Sequence, residues 1–393
     1  MDTMQRSAPT PSAGTRRFVA VCAPNAFKGT VSAAAAAAAM ARGVRDAGAD
    51  AIEIPVADGG DGTLDVLLAA RGSESRVTRH RVTGPTGNPV IARLGWLGRH
   101  EAVVELAEAS GLRRLDSNAP DPMHATSRGT GELIRIAVDS GARKIVVGVG
   151  GSACTDGGVG LLQALGGYVT DARGEEIGPG GAGLEDANAI DLSGVLRTLS
   201  HTTVEVACDI RSPLLGRNGP ARMFAPQKGA DAGDVVRLER ALARFARLAA
   251  GSGCDDVSTL PGAGAAGGCG FGLALAGARL LPGAHIVCDL VGLDAALHEA
   301  AVAITGEGRL DSQTPTGKAP AEVAGRAQKL GIPCVAIAGA VLDPLPQLFS
   351  AALALDGFDP SLDPMRHARA LLRRAARRAV EGVRAGGRAS AEP

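Results

Sequence analysis

The sequence predicts an α/β protein with parallel sheets and two domains, one assembled from both chain ends and the other inserted between them. Three observations predict it. A chain of 393 residues exceeds what one hydrophobic core usually serves. Short β-branched runs alternate with longer helical stretches, the pattern of strands joined by helical crossovers. One stretch breaks that rhythm with apolar–polar alternation, as an antiparallel hairpin does.

In chain order, Phe18–Ala23 reads as a strand and Ser32–Ala47 as a helix started by a Thr30 or Ser32 cap. Ala51–Val56 reads as a strand and Leu64–Ala70 as a helix. Ser75–Leu97 is the alternating stretch, with Gly84-Pro85-Thr86-Gly87 at its turn. Glu132–Ser140 is helical, and Lys144–Val149 is apolar enough for a strand buried on both faces. Val204–Cys208, His285–Leu290, Val302–Thr305 and Cys334–Ala338 are further expected strands. Pro364–Ala385, Arg-rich with spaced apolar residues, is an amphipathic surface helix with a solvated face. The expected division is a leader over 1–17, a discontinuous domain over 18–72 and 286–393, and an inserted domain over 73–285.

Hydrophobic residues make up 45% of the chain, enough for well-filled cores. Basic and acidic side chains balance at 41 each, so the net charge makes no claim on nucleic acid or an anionic membrane. Aromatics are 2%, too few for base-stacking platforms. Seven cysteines, none in a C-x-x-C pair, read as buried free thiols of a reducing compartment, the cytoplasm. Met1–Arg17 lacks the apolar segment of a signal peptide, and Ala33–Ala39 is too short to span a bilayer. The sequence is compatible with a monomer or a homodimer.

Ligands of open parallel sheets bind at the carboxyl ends of the strands. Five expected strand ends lead into loops that combine glycine with charged or hydroxyl residues: Pro24–Thr30, Asp58–Thr63, Gly150–Gly158, Asp209 and Gly306–Asp311. Glycine lets the backbone approach a phosphate, and helix N-termini aim free N–H groups at it. Any one such loop is an ordinary tight turn; five together point to a large anionic ligand. Three of the five lysines, Lys28, Lys228 and Lys318, sit in Gly- or Pro-bearing turns, where a flexible ammonium suits phosphate oxygens. Asp58, Asp61, Asp156, Asp209, Glu307 and Asp311 fall on the same loops and are candidates for holding Mg²⁺ or for acid–base work at an acceptor hydroxyl. Asp61 serves equally well as a helix cap. Asp209 directly follows a buried strand, where an unpaired acid is costly, and this favours a functional role.

Other motifs carry less. Gly262–Gly267 fits G-x-G-x-x-G, but Pro261 and no strand precede it, so it reads as a glycine-rich turn opening a helix. A Walker A motif is absent, because Ser312 and Ala319 stand where Gly and Ser/Thr belong. No H-x-x-x-H pair marks a zinc site, and no G-x-S-x-G elbow is present.

Taken together, the loops resemble something specific. Ala23–Gly29, Val56–Thr63, Thr126–Leu133, Gly150–Gly158, Ala207–Asp209, Pro226–Ala230, Pro261–Gly268 and Thr305–Thr314 are similar in order and spacing to the motifs of type-1 glycerate kinases. The resemblance runs from about Phe18 to the terminal helix. It implies a flavodoxin-like domain from both chain ends, an inserted α/β domain, and an active site in the cleft between them. It also implies ATP and Mg²⁺ as cofactors and D-glycerate as the small-molecule substrate, with 2-phosphoglycerate as product. Lys28, Lys228 and Lys318 would then serve phosphates or the glycerate carboxylate, and Asp209 or Asp156 the acceptor hydroxyl. Ser127, Arg128, Ser152, Arg309, Gly59 and Gly60 would line the substrate and phosphate site. Glu307, Asp311, Gly264 and Gly267 would contact nucleotide, and Asp58 and Asp61 metal. Two departures stand out: Asn25-Ala26 where the family has Asp-Ser, and Thr316 where a basic or imidazole residue is common. Three other readings are an ATP-dependent kinase of a related small hydroxy or sugar acid, a binding protein that keeps the cleft without catalysis, and a nicotinamide-dependent hydroxy-acid dehydrogenase. The last lacks the strand that should lead into its glycine fingerprint.

Overall fold

The computed structural model describes residues 17–115, 120–311, 318–342 and 347–389. Its first strands are β1 (Val19–Pro24), β2 (Asp50–Glu53), β3 (Arg76–Thr83), β4 (Pro89–Trp96), β5 (Glu101–Glu105) and β6 (Lys144–Gly148). They are followed by β7 (Tyr168–Thr170), β8 (Ala189–Asp191), β9 (Thr203–Cys208) and β10 (Arg279–Pro282). The last three are β11 (Val302–Leu310), β12 (Cys334–Val341) and β13 (Ala351–Ala354). Two main sheets result. One is fully parallel, in the order β2-β1-β11-β12-β13, and is built from both chain ends. Counted within that sheet, the order is the flavodoxin-like 2-1-3-4-5. The other runs β10-β9-β6-β5-β4-β3, parallel from β10 to β5 and antiparallel from β5 to β3. A small antiparallel pair, β7 and β8, stands apart.

The local reasons match the chemistry of the segments. Ser32 caps the helix Ala33–Asp46, its Oγ accepting from the Ala35 N–H at 3.3 Å. The alanine run lets this helix lie against the terminal helix Pro364–Ala389, so close that a Cβ on Gly43 would stand 1.9 Å from the Arg373 carbonyl oxygen. The terminal helix buries Leu371, Leu372, Ala375, Ala376 and Val380 and turns its arginines outward, as its spacing predicts. The expected hairpin is present as β3 and β4, paired from Arg76↔Trp96 to Thr83↔Pro89. All seven cysteines are free thiols, six of them buried. No described helix is long and apolar enough to cross a membrane.

Two expectations are corrected. His285–Leu290 is not a strand but most of a helix, Gly283–Leu290. A short apolar run has no period that separates strand from helix. Here His285 and Asp289 meet across one helical turn at 3.6 Å while Ile286, Val287 and Cys288 are buried. The strand expected to stop at Thr305 runs on to Leu310, so Glu307 and Arg309 project from β11 rather than from a loop. In addition, the helix Thr63–Arg71, expected with the first sheet, buries Leu64 and Leu67 in one cluster with Val103 and Val146 of the second.

Beside that helix sits a dense charge cluster. Glu108, in the short helix Leu106–Ser110, is buried at 3% exposure. It accepts from the Arg93 backbone N–H at 3.1 Å and from the Arg93, Arg113 and Arg114 guanidiniums at 2.8, 2.5 and 3.3 Å. Burial pushes its carboxyl up, but the bonds from Arg93 and the charges of Arg113 and Arg93 outweigh this and hold it below the usual range.

Candidate active site

In the parallel sheet, the chain order reverses between β1 and β11, and the crevice outside their carboxyl ends is where such sheets bind ligands. A cleft of about 770 Å³ opens there. Asn25 and Lys28 reach it from the loop after β1, Asp58 from the loop after β2, and Glu307, Arg309 and Asp311 from the end of β11. Lys318 stands at the start of the helix Ala319–Lys329. From the second sheet comes Asp209, directly after β9, with Ile210, Arg211 and Pro213 behind it. Met223 and Phe224 complete an apolar wall on that side.

The acids are arranged against one another. Asn25 Nδ2 donates to Asp58 Oδ2 at 3.1 Å, and the Gly60 N–H donates to Asp58 Oδ1 at 3.2 Å. These bonds fix the Asp58 carboxylate although it is only 8% exposed. Burial raises the Asp209 pKa to about 6, with the Asp58 charge adding to the rise, while its own backbone N–H, Lys28 and Lys318 oppose it. Lys318 Nζ stands 3.9 Å from Glu307 and 3.5 Å from Asp311, and Arg309 pairs with Asp311 at 3.9 Å. Cations and carboxylates therefore face each other across the cleft. Its oxygen donors suit a hard divalent cation, and its ammonium groups suit phosphate.

Gly59 and Gly60 shape the Asp58 loop. Gly59 has φ +95°, and a Cβ there would meet the Ala207 carbonyl oxygen at 2.3 Å. A Cβ on Gly150 would meet the Gly60 Cα at 2.3 Å. The loop thus lies flat on the ends of β6 and β9. Asp61 is half-exposed, 3.9 Å from Arg113, and borders a smaller adjoining hollow that Lys28 also lines.

Several other candidate residues lie elsewhere. Asp156 is fully buried and does not line the cleft. It accepts from the Ser127 N–H and Oγ–H, both at 2.8 Å, and from the Gly158 N–H at 3.0 Å. Burial pushes its carboxyl up, against those bonds. Lys228, 3% exposed, donates to Ser152 Oγ at 2.9 Å and the Cys154 carbonyl at 2.6 Å, and burial pulls its ammonium down. Cys154, Asp156 and Cys269 bring their ligand atoms within 4.8 Å, but the neighbouring ammonium and the occupied carboxylate make this a self-satisfied internal network. Gly267, at φ +70°, presses against the Cys154 carbonyl, and Gly264 against that of Pro213, so both are buried packing positions. Arg128 points to a separate hollow and pairs with Glu132 and Glu176. Ser312 to Gly317, including Thr316, lie outside the described residues. Arg211, Met223 and Phe224 escaped the sequence reading; the first follows Asp209 closely enough to have been suspected.

The model of the glycerate kinase family matches residues 20–384. Glycerate 2-kinase of Escherichia coli (strain K12) is 45% identical over 329 residues, covering 82% of this chain and 85% of that protein. Glycerate kinase of Bacillus subtilis (strain 168) is 43% identical over 325 residues, with coverages of 82% and 85%. A crystal structure provisionally assigned as glycerate kinase 2 from Salmonella typhimurium LT2 superposes with a TM-score of 0.82 at 40% identity, covering 95% of this chain and 100% of that one.

Proposed function

The chain belongs to the glycerate kinase family, and from that premise we propose that it transfers the γ-phosphoryl group of ATP to a hydroxyl of D-glycerate, giving 2-phosphoglycerate. The observation that carries the reading is the cleft at the β1/β11 reversal, where Asp58 and Asp209 face Lys28 and Lys318. Lys28, Lys318 and Arg309 hold the phosphates, and the apolar wall of Ile210, Pro213, Met223 and Phe224 takes the flat base. Asp209 accepts the proton of the attacking hydroxyl as the new O–P bond forms and the bond to the β,γ-bridging oxygen breaks, releasing ADP. Asp58, with Glu307 and Asp311 near the phosphates, would hold Mg²⁺, which neutralises phosphate charge when bound. Most of the work is positioning and charge neutralisation, with the sheets' closure excluding water.

Two domains are proposed, one for each main sheet, with the cleft between them. A reducing compartment, the cytoplasm, suits seven free thiols. A coupled ADP-release assay with ATP, Mg²⁺ and D-glycerate tests the activity, and product identification by NMR tests the position of the phosphate. ATP·Mg²⁺ is expected to raise the melting temperature and NAD to leave it unchanged. The reverse pattern would restore the dehydrogenase reading.

Asn25 carries a separate prediction. Its amide donates to Asp58, so Asn25→Asp sets two carboxylates against each other where a hydrogen bond now stands. The variant is expected to melt about 2–4 °C lower in EDTA and to recover on adding Mg²⁺. Equal melting in EDTA would remove Asn25 as the group orienting Asp58.

A further inference from the structure

Glu105 ends β5, is fully buried, and takes no part in the cleft. A carboxylate is costly inside a protein unless its partners are specific. Here they are. Its Oε2 accepts from the Gly62 N–H at 3.2 Å and from the Leu64 N–H at 3.0 Å. Leu64 lies in the first turn of the helix Thr63–Arg71, and Gly62 is that helix's cap position, which offers no side chain. The other oxygen, Oε1, stands 3.3 Å from Arg113, which also approaches Asp61 at 3.9 Å. The helix is therefore capped from another part of the chain, by a residue of the six-stranded sheet. The segment immediately before it is the Asp58–Asp61 loop.

A second set of bonds points the same way. The Gly150 N–H, after β6, donates to the Gly59 carbonyl at 3.1 Å, and Thr63 Oγ1 donates to the Gly60 carbonyl at 2.8 Å. The loop follows β2 of the parallel sheet in sequence but is fastened to the sheet that carries Asp209.

We infer that Glu105 is a positioning residue: by capping the helix Thr63–Arg71 from β5, it fixes the Asp58–Asp61 loop to the six-stranded sheet and keeps the Asp58 and Asp61 carboxylates in register with Asp209. The inference rests on the metal role proposed above for Asp58. Outer partners of metal-holding groups act through such orientation, and their loss costs about 10–100-fold in metal affinity.

The test uses the full chain and two readouts: hydrogen exchange over residues 57–68, and Mn²⁺ affinity by electron paramagnetic resonance without nucleotide. In Glu105→Ala, the Gly62 and Leu64 amides should exchange at least about tenfold faster, and the Mn²⁺ Kd should rise about tenfold or more. Glu105→Gln keeps an oxygen that can accept both bonds and should stay near the unsubstituted protein in both readouts. A folded Glu105→Ala with unchanged exchange and Mn²⁺ affinity overturns the inference, as does Glu105→Gln behaving like Glu105→Ala. If Glu105→Ala does not fold, Glu105→Asp takes its place, since it keeps the charge but withdraws the carboxylate by one methylene. Unchanged exchange over 57–68 in that variant is equally fatal. Absence of Mn²⁺ binding by the unsubstituted chain would count against the metal role of Asp58, and exchange alone would then judge the clamp.

Discussion

Replacing Asp209 by asparagine is expected to lower turnover by about 10²–10⁴-fold while making the protein harder to melt at pH 7. The two effects have one cause. Burial and Asp58 raise this carboxyl from 3.8 to about 6. The folded state holds its proton more tightly than the unfolded chain does, so stability falls as pH rises from 3.8 to about 6. Above that window the full cost of the ionised form is present, and the neutral amide of the variant would not carry it. The gain at pH 7 should be about 1–3 kcal/mol, and it should vanish near pH 4. The same shift places the acid limb of kcat/KM near pH 6, since the base must be ionised to accept a proton. Nucleotide affinity should change far less than turnover. Normal turnover in the variant would remove Asp209 as the base, and an unchanged melting temperature at pH 7 would mean that its buried charge costs the fold nothing.

Glu108→Ala is expected to have the largest effect on stability. The carboxylate is the shared acceptor of three guanidiniums, and among the described residues Arg93 and Arg113 keep only Asp65, Glu105 and Asp61 as other acidic partners. Removing one member of a buried ion pair costs about 3–5 kcal/mol. The arginine side chains here are 28–40% exposed, so water recovers part of that, and about 2–3 kcal/mol is expected. The sign with pH follows from the lowered pKa of Glu108: its stabilisation is present above its ordinary value and is lost as pH falls through the folded one. Urea melts of the two proteins should therefore differ most near neutrality and converge in acid. A constant difference down to low pH would mean that packing, not charge, accounts for the loss.

Much of the fold was legible because its strands are strongly apolar or strictly alternating. Lys144–Gly148 and the β3–β4 hairpin are examples, and Ser32 announced its helix. Gly283–Leu290 was not, since its apolar run is shorter than the span that distinguishes the two periods. The candidate site was legible where a charged residue directly follows a buried strand, as Asp209 does after β9, whereas Asp58 lies in the glycine-rich loop beyond the partly exposed β2. It was less legible where glycine and lysine do interior work. Ser127, Ser152, Asp156 and Lys228 look in sequence like parts of a phosphate loop, yet their polar atoms satisfy one another inside the fold. Composition cannot tell a cradle for a ligand from a cradle for another loop. Glu105 left a signal that went unread: an acid closing the apolar run Ala102-Val103-Val104, where burial demands a partner.

The close approach of Gly283 to the Asp58 loop has a consequence for how the protein is made. A Cβ on Gly283 would stand 2.0 Å from the Asp58 carbonyl oxygen, so the chain enters and leaves the six-stranded region at nearly one point. During synthesis, β1 emerges first, but its neighbour β11 is among the last strands to leave the ribosome. A nascent chain would otherwise have to close a loop of most of its own length before that pairing repays the lost entropy. Once the central segment has folded, its two ends already lie together, and β11 is delivered to β1 as though the sequence between them were short. The order of translation and the expected order of assembly thus agree for the middle of the molecule, and the β1–β11 pairing is expected to form last.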